Sequence, residues 1–253
     1  MSVSGSARSG ALAVLVMTLA GCSDVNGPSP GGGEGLLVLS VAGRTPGAGP
    51  AAAPETITLG GDVLVLEQVE LVLREIELER VGEDDSCRGG ENEGDDDACE
   101  EVELGPLLID LPLGGGTMRR LQVAVEAGAY EEVEFEVHKP DDDEAKDLAF
   151  LAAHPDFDHV SIRVRGTFNG VPFVFVTDLN AEQEMDLSPP LMVAAGASAE
   201  LTLIVDVRTW FLAAGGSRLV NPLTALKGQP NEGLVKENIK RSIDAECEDD
   251  GDD

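Results

Sequence analysis

The longest apolar run in the chain, GDVLVLEQVELVLREIELERV over residues 61–81, alternates apolar and polar side chains with period two and slips phase once. Val69, Leu71 and Leu73 form one set and Ile76 and Leu78 another, and the two are out of step. A strand shows opposite faces at successive residues, so a single inserted residue returns both sets to one face. The spacing therefore predicts a strand with a bulge near Arg74-Glu75. A helix through Leu66, Val69, Leu73 and Ile76 is the rival. Strict alternation together with β-branched residues favours the strand.

The same period runs through most of the chain. Leu36 to Val41 reads as a first strand, followed by a flexible connection, RTPGAGPAAAPET, in which Pro and Gly deny regular structure. Val102 to Leu104 and Leu107 to Leu111 read as short strands, and Gly114 to Gly116 as a turn. Leu121, Val123 and Val125 alternate, as do Val133, Phe135 and Val137, and then Val160, Ile162 and Val164. GTFNGVPFVFV holds Asn169-Gly170, the favoured type I′ hairpin pair because both central residues need positive φ. Asp178 to Pro190 reads as a polar connection, and Leu201 to Val207 as a last strand ending near Trp210-Phe211. Asp141 to Ala153 is the one internal helix expected, its acids at the end where the helix dipole favours them. From Asn231, the apolar residues Leu234, Val235, Ile239 and Ile243 take helical spacing before the chain ends in ECEDDGDD. Antiparallel strands with one polar face predict a mainly β fold. The expected form is an antiparallel β-sandwich, immunoglobulin- or prealbumin-like, with one short internal helix and a C-terminal amphipathic helix.

The first residues supply an address. Arg8 and the amino terminus precede an apolar stretch, Ala11 to Ala20, that is about half the ~20 residues needed to span a membrane. It reads as a secretory leader, residues 1–21. Leu19-Ala20-Gly21-Cys22 closes it and resembles the lipobox of bacterial lipoproteins, which implies lipidation at Cys22 and a membrane anchor. Ser23 stands where inner-membrane retention uses Asp, so an outer-membrane lipoprotein is expected. Residues 22–35 then form anchor and tether, SDVNGPSPGGGEG, with a coil span of roughly 20 Å. The sandwich is expected over 36–215 with an acidic insertion at 82–101, and the C-terminal helix and acidic tail over 216–253.

Charge narrows the partners. The formal net charge is −31, and removing the leader removes only Arg8. Nucleic acid is excluded as a partner, because its affinity rests on Lys and Arg against phosphate. A protein or glycan partner is left open. The acids cluster in 83–103, in Asp141-Asp142-Asp143-Glu144 and in the tail, the pattern of solvated loops.

Within SCRGGENEGDDDACEE (86–101), Glu91, Glu93, Asp95, Asp96 and Asp97 could offer oxygens to calcium. The spacing that fixes a calcium shell is missing, so weak association is the most that these residues predict, with no resident cofactor. Cys87 and Cys99 flank the loop, and in an oxidising compartment they are expected to form a disulfide contributing roughly 3 kcal/mol. A redox role is disfavoured by the absence of Cys-x-x-Cys and by surrounding acids that oppose a thiolate. Cys247 is left over in the tail. Of the three histidines, His138, His154 and His159, the last two lack the helical spacing of a zinc pair, and a surface turn accounts for them. There is no nucleophile elbow and no phosphate loop in the sequence, and the reading is non-enzymatic.

The order of these pieces over about 36–210 resembles the DUF4382 family of bacterial and archaeal envelope domains. The residues that carry the resemblance are Val69-Glu70-Leu71-Val72 with Ile76, Leu108-Ile109-Asp110-Leu111, Gly128-Ala129-Tyr130, Asn169-Gly170 and Val205-Asp206-Val207. Val41-Ala42-Gly43 departs from the Thr-Asp-Ala-Pro-like turn usual in that family. The resemblance implies a β-sandwich at the cell surface and carries over no catalytic residue.

Overall fold

The computed structural model describes residues 33–43, 53–81, 99–102, 105–114 and 117–247. In chain order the elements are β1 (Glu34–Ala42), β2 (Glu55–Leu59), β3 (Asp62–Arg80), β4 (Cys99–Val102), β5 (Leu107–Asp110), β6 (Thr117–Glu126) and β7 (Gly128–Val137). Then come α1 (Leu148–Ala153), β8 (Ile162–Phe168), β9 (Val171–Thr177), β10 (Ala181–Val193), β11 (Ser198–Val205), α2 (Glu232–Lys240) and β12 (Ile243–Cys247). A four-stranded sheet has the order β12-β11-β1-β6, and an eight-stranded sheet runs β10-β7-β3-β8-β9 with β2, β4 and β5 also on β3. The pairings are antiparallel except β1 with β11, which is parallel. Leu37, Leu39 and Val41 of β1 and Leu201, Leu203 and Val205 of β11 share one core with Leu64, Leu66, Leu71 and Leu78 of β3. The fold is a β-sandwich.

β3 is its spine. One edge pairs with β8 through Leu71 and then with β7 from Leu73, and the other edge serves β2, β5 and β4 in turn. The bulge expected near Arg74-Glu75 is there. The register with β7 shifts between Arg74 and Ile76, and Glu75 is left over with φ of 52°. A second bulge leaves Glu67 unpaired against β8, so Leu64 and Leu66 point the same way as Val69 and Leu71. Opposite this bulge a side chain is excluded: a Cβ on Gly166 would lie 1.9 Å from the Val65 carbonyl oxygen. The Asn169-Gly170 hairpin has φ of 52° and 78°, as its sequence requires.

Four expectations are corrected. The connection after β1 ends in a strand, β2, which pairs with the start of β3. Asp178 to Pro190 is not a loop. From Ala181 it is β10, an edge strand whose polar residues face outward, with Pro189 and Pro190 inside the register break between Asp186 and Leu191. The internal helix covers only Leu148–Ala153, because the acids before it cap turns instead: Asp143 N–H donates to Asp141 Oδ1 at 3.1 Å. Finally, Ile243 does not continue the C-terminal helix, and Cys247 does not lie in the tail. Ile243–Cys247 is β12, paired with β11 from Val205 to Leu201, and Cys247 packs half-buried against the core.

α2 forms where its spacing placed it, burying Val235 and Ile239. It is fastened by polar groups as well. Asn238 Nδ2 donates to the carbonyls of Trp210 (3.0 Å) and Leu212 (2.9 Å), and buried Trp210 donates from Nε1 to Ser242 Oγ at 2.7 Å. No helix among the described residues is long and apolar enough to cross a membrane.

Candidate functional site

Where β3 changes partner from β8 to β7, the chain between these two strands has to leave the sheet and return. Val72 closes the base of that excursion with its own backbone. Its N–H donates to the Ser161 carbonyl, and its carbonyl accepts from the His138 N–H, both at 2.9 Å. His159 N–H donates to the Pro140 carbonyl, also at 2.9 Å, and ties the two limbs together. Residues 138–161 then fold back over the outer face of the large sheet. This explains why Val69 to Leu73 of β3 are all buried while the strand alternates. One face meets the core, and the other, through Glu70, Val72 and Arg74, meets the excursion.

The seat has an apolar middle and a charge cluster at each end. In the middle Val72 packs with Phe150, Leu151 and Phe157, a group separate from the main core. At one end Glu70 is buried and accepts two hydrogen bonds from Arg163, Nε to Oε2 at 2.7 Å and Nη2 to Oε1 at 2.9 Å. The guanidinium lies 4.4 Å from the Phe157 ring centre and also pairs with Asp156, which keeps the Asp156 carboxyl below its ordinary pKa.

The other end centres on His138, whose side chain is only 2% exposed. Its Nε2 lies 2.8 Å from Asp147 Oδ2, and its Nδ1 faces Glu136 Oε2 at 3.3 Å, close enough for attraction between charges but poorly directed as a hydrogen bond. Arg74, carried here by the Glu75 bulge, donates from Nη1 to Glu144 Oε2 (2.6 Å) and from Nε to Glu136 Oε2 (3.0 Å). Asp147 is fully buried, and its Oδ2 also accepts the Asp141 N–H at 2.8 Å. Burial pulls the His138 pKa down, but its two carboxylate partners outweigh this and hold it above the usual imidazole value. Burial likewise pushes Glu136 up, and the adjoining His138 and Arg74 more than reverse it, leaving Glu136 below the ordinary carboxylate range.

His138, Glu144 and Asp147 each bring a ligand-type atom within 4.8 Å of the others, the spacing of a metal cage. Arg74 fills that place: its Nη1 lies 2.6 Å from Glu144, 3.4 Å from His138 and 3.8 Å from Asp147. The guanidinium is the cation of this cluster, which is an ion-pair network. A second group, Asp141, Asp142 and His159, is largely exposed, with His159 Nδ1 3.3 Å from Asp141 and Lys139 Nζ 3.9 Å from the same carboxylate. His154 stacks on Phe150 at 4.8 Å between ring centres. The turn expected around His154 and His159 is thus part of the excursion, and all three histidines lie in it.

A cleft of about 370 Å³ opens elsewhere, where the edge of β3 is bare between β2 and β5. Glu67, Gln68, Asp110, Pro112, Met118 and Arg165 line it. Arg165 donates from Nη1 to Gln68 Oε1 at 2.8 Å, so the one cation among these side chains is already anchored to the wall.

Of the residues singled out in the sequence, Cys22, Cys87, Glu91, Glu93, Asp95, Asp96 and Asp97 lie outside the described residues. Cys99 opens β4, its backbone in register with Glu79. The His138 cluster escaped the sequence reading because its members are contributed by β3, the end of β7 and the turn at 144–147. One signal was present: His138 follows directly on the alternation of Val133, Phe135 and Val137, at a strand end beside an acid. Comparison with protein-family models, with curated proteins and with solved structures returns no match.

Proposed function

We propose that this chain is a non-enzymatic lipoprotein of the bacterial cell envelope, held in the outer membrane through Cys22. In this reading its β-sandwich, of the DUF4382 kind, serves as a surface binding or adhesion-type module for a protein or glycan. The observation that carries the proposal is Leu19-Ala20-Gly21-Cys22 at the end of a short apolar leader, followed by a Gly- and Pro-rich tether. The two buried charge clusters fit a scaffold. Their acids and bases are held by one another and seat a segment of the chain.

Mass spectrometry of the N-terminal peptide from envelope membranes tests the anchor. Diacylglycerol and acyl mass on Cys22, with release of the Cys22→Ala variant from the membrane fraction, is the expected result. An unmodified thiol at Cys22 in the mature protein overturns it.

A second reading, cation or small-ligand binding, is favoured by the acidic run Glu91 to Asp97 and by the cleft at Arg165. Calorimetric titration with calcium separates the two. Heat at millimolar calcium supports the second reading for the acidic run, and none removes cation binding from it.

A further inference from the structure

The His138 cluster has a protonation requirement that follows from its geometry. Both ring nitrogens face carboxylates, Nε2 toward Asp147 at 2.8 Å and Nδ1 toward Glu136 at 3.3 Å. A neutral imidazole has a single N–H, so in either tautomer one ring nitrogen turns a lone pair toward a buried acid. Only the imidazolium suits both sides. Without its proton, the cluster sets one cation, Arg74, against two buried carboxylates, Glu136 and Asp147, that little water screens, and against half-exposed Glu144.

We propose that His138 is a proton-operated latch for residues 138–161. Protonated, it holds the turn carrying Glu144 and Asp147 against the outer face of the sheet. On losing its proton it releases that turn, while the Arg163 end stays seated.

Every element around His138 contributes to this balance. β3 supplies Arg74, with Glu75 3.3 Å from it, and β7 supplies Glu136. The turn supplies Glu144, Asp147 and Lys146, the last 3.7 Å from Glu75. The segment before β10 supplies only neutral Asn180, which accepts the Lys139 N–H at 2.9 Å. Lys139 and His159 face Asp141 on the exposed side. Among the described residues, no cationic group other than Arg74 and His138 lies within 4.0 Å of the Glu136 or Asp147 carboxylate.

The far end behaves differently. Arg163 keeps its charge at any ordinary pH, and Glu70 and Asp156 are its partners, so alkali leaves that end intact. The latch is therefore closed below the ordinary imidazole pKa and opens as pH rises through the raised value of His138. Its action is a partial undocking that uncovers Val72, Phe150 and Leu151. This device stands apart from the lipid anchor and survives the failure of that reading.

The sequence offers a specific probe. Between Arg120 and Arg163 the chain has two tryptic positions, Lys139 and Lys146, and Lys139 is followed by Pro140, which blocks cleavage. Lys146 is half-exposed, and its scissile bond leads directly into buried Asp147. Trypsin can cut there only when the turn lifts away. On the full chain, cleavage at Lys146, normalised to a free peptide of residues 141–152, is expected to rise at least about tenfold from about pH 6 to about pH 9. His138→Gln should be cut rapidly at both pH values, and His159→Gln should retain the wild-type pH dependence. Because His138→Gln could fail to fold, the wild-type His138 ring is also titrated by NMR, with a midpoint expected above ~6.5. Normalised cleavage of the wild type that is flat with pH, a His138→Gln variant with unchanged pH dependence, or a His138 midpoint at or below the ordinary value would each overturn the latch.

Discussion

The space between the two sheets and the seat of the 138–161 excursion are both buried, yet they are built on different principles. Between the sheets the contact is made by a continuous group of buried, mainly apolar side chains, from Leu37 and Leu39 across to Phe175, Trp210 and Phe211. The seat of the excursion has four apolar residues in its middle and closes at both ends through buried charges. Hydrophobic burial is indifferent to pH and position-tolerant, whereas a buried ion pair is costly to desolvate and fails sharply when one partner changes. The first kind of contact decides whether the chain folds. The second decides whether one segment is docked, and under what conditions.

Truncations should separate the two regions most strongly. Phe175→Ala or Trp210→Ala removes a fully buried aromatic from between the sheets and should lower global stability by about 3–5 kcal/mol in urea titration. Phe157→Ala removes an equally buried ring from the seat, and its loss should fall on the excursion, leaving the global midpoint nearly unchanged. Equal shifts of the global midpoint would erase the distinction. Next in size is Asp147→Ala, which leaves His138 and Arg74 without their buried acid and should weaken docking by about 3 kcal/mol, read as proteolysis at Lys146.

Acid and alkali should act most strongly on the docking of the excursion. His138 has a raised pKa in the folded state, so its contribution is complete below about 6.5 and is lost as pH rises through the folded value. Glu136 has a lowered pKa, so its contribution is present above about 4.5 and is lost as pH falls through the folded value. Docking should thus show a plateau bounded on both sides, while near-UV signals from the Trp210 core stay flat across it. The smallest effect is expected where a charge pair is nearer to solvent. Asp178 binds Lys227 and Lys236, which hold its carboxyl down to about 2. Asp178→Asn should cost on the order of 1–2 kcal/mol, because Lys227 is largely exposed and screened. That contribution is present above about pH 4 and disappears as pH falls toward the shifted value.

The two regions were also unequally legible in the sequence. Between the sheets, each strand carries its own signature, since Val133, Phe135 and Val137 alternate whatever they pack against. The Glu75 bulge was readable because the phase slip from Leu73 to Ile76 crosses polar residues. The Glu67 bulge carries the same mark, the polar pair Glu67-Gln68 between Leu66 and Val69, but Val63 and Val65 make the run before it apolar on both faces, so no clear phase precedes the slip. β10 and β12 are edge strands whose outward residues are acids, and acids resemble a loop or a tail until the pairing is known. The seat of the excursion joins Arg74 to His138 across 64 residues and His138 to Asp147 across 9 residues of turn, and neither separation leaves a periodicity to find. The acids at 141–147 looked like a helix start for the same reason. Glu144 and Asp147 pair instead with Arg74 on β3 and with His138 just past the end of β7.

Hydrogen exchange resolved by residue, followed through low urea at about pH 7, tests the contrast most directly. The amides of Leu151, His154 and Phe157, bonded within the excursion, are expected to exchange by a local opening that barely responds to urea. Amides of β3 and β7 in the same protein are expected to exchange more slowly and with the full urea dependence of global unfolding. Exchange of all these amides at one rate, with one urea dependence, would contradict this contrast and make the excursion part of the same cooperative core.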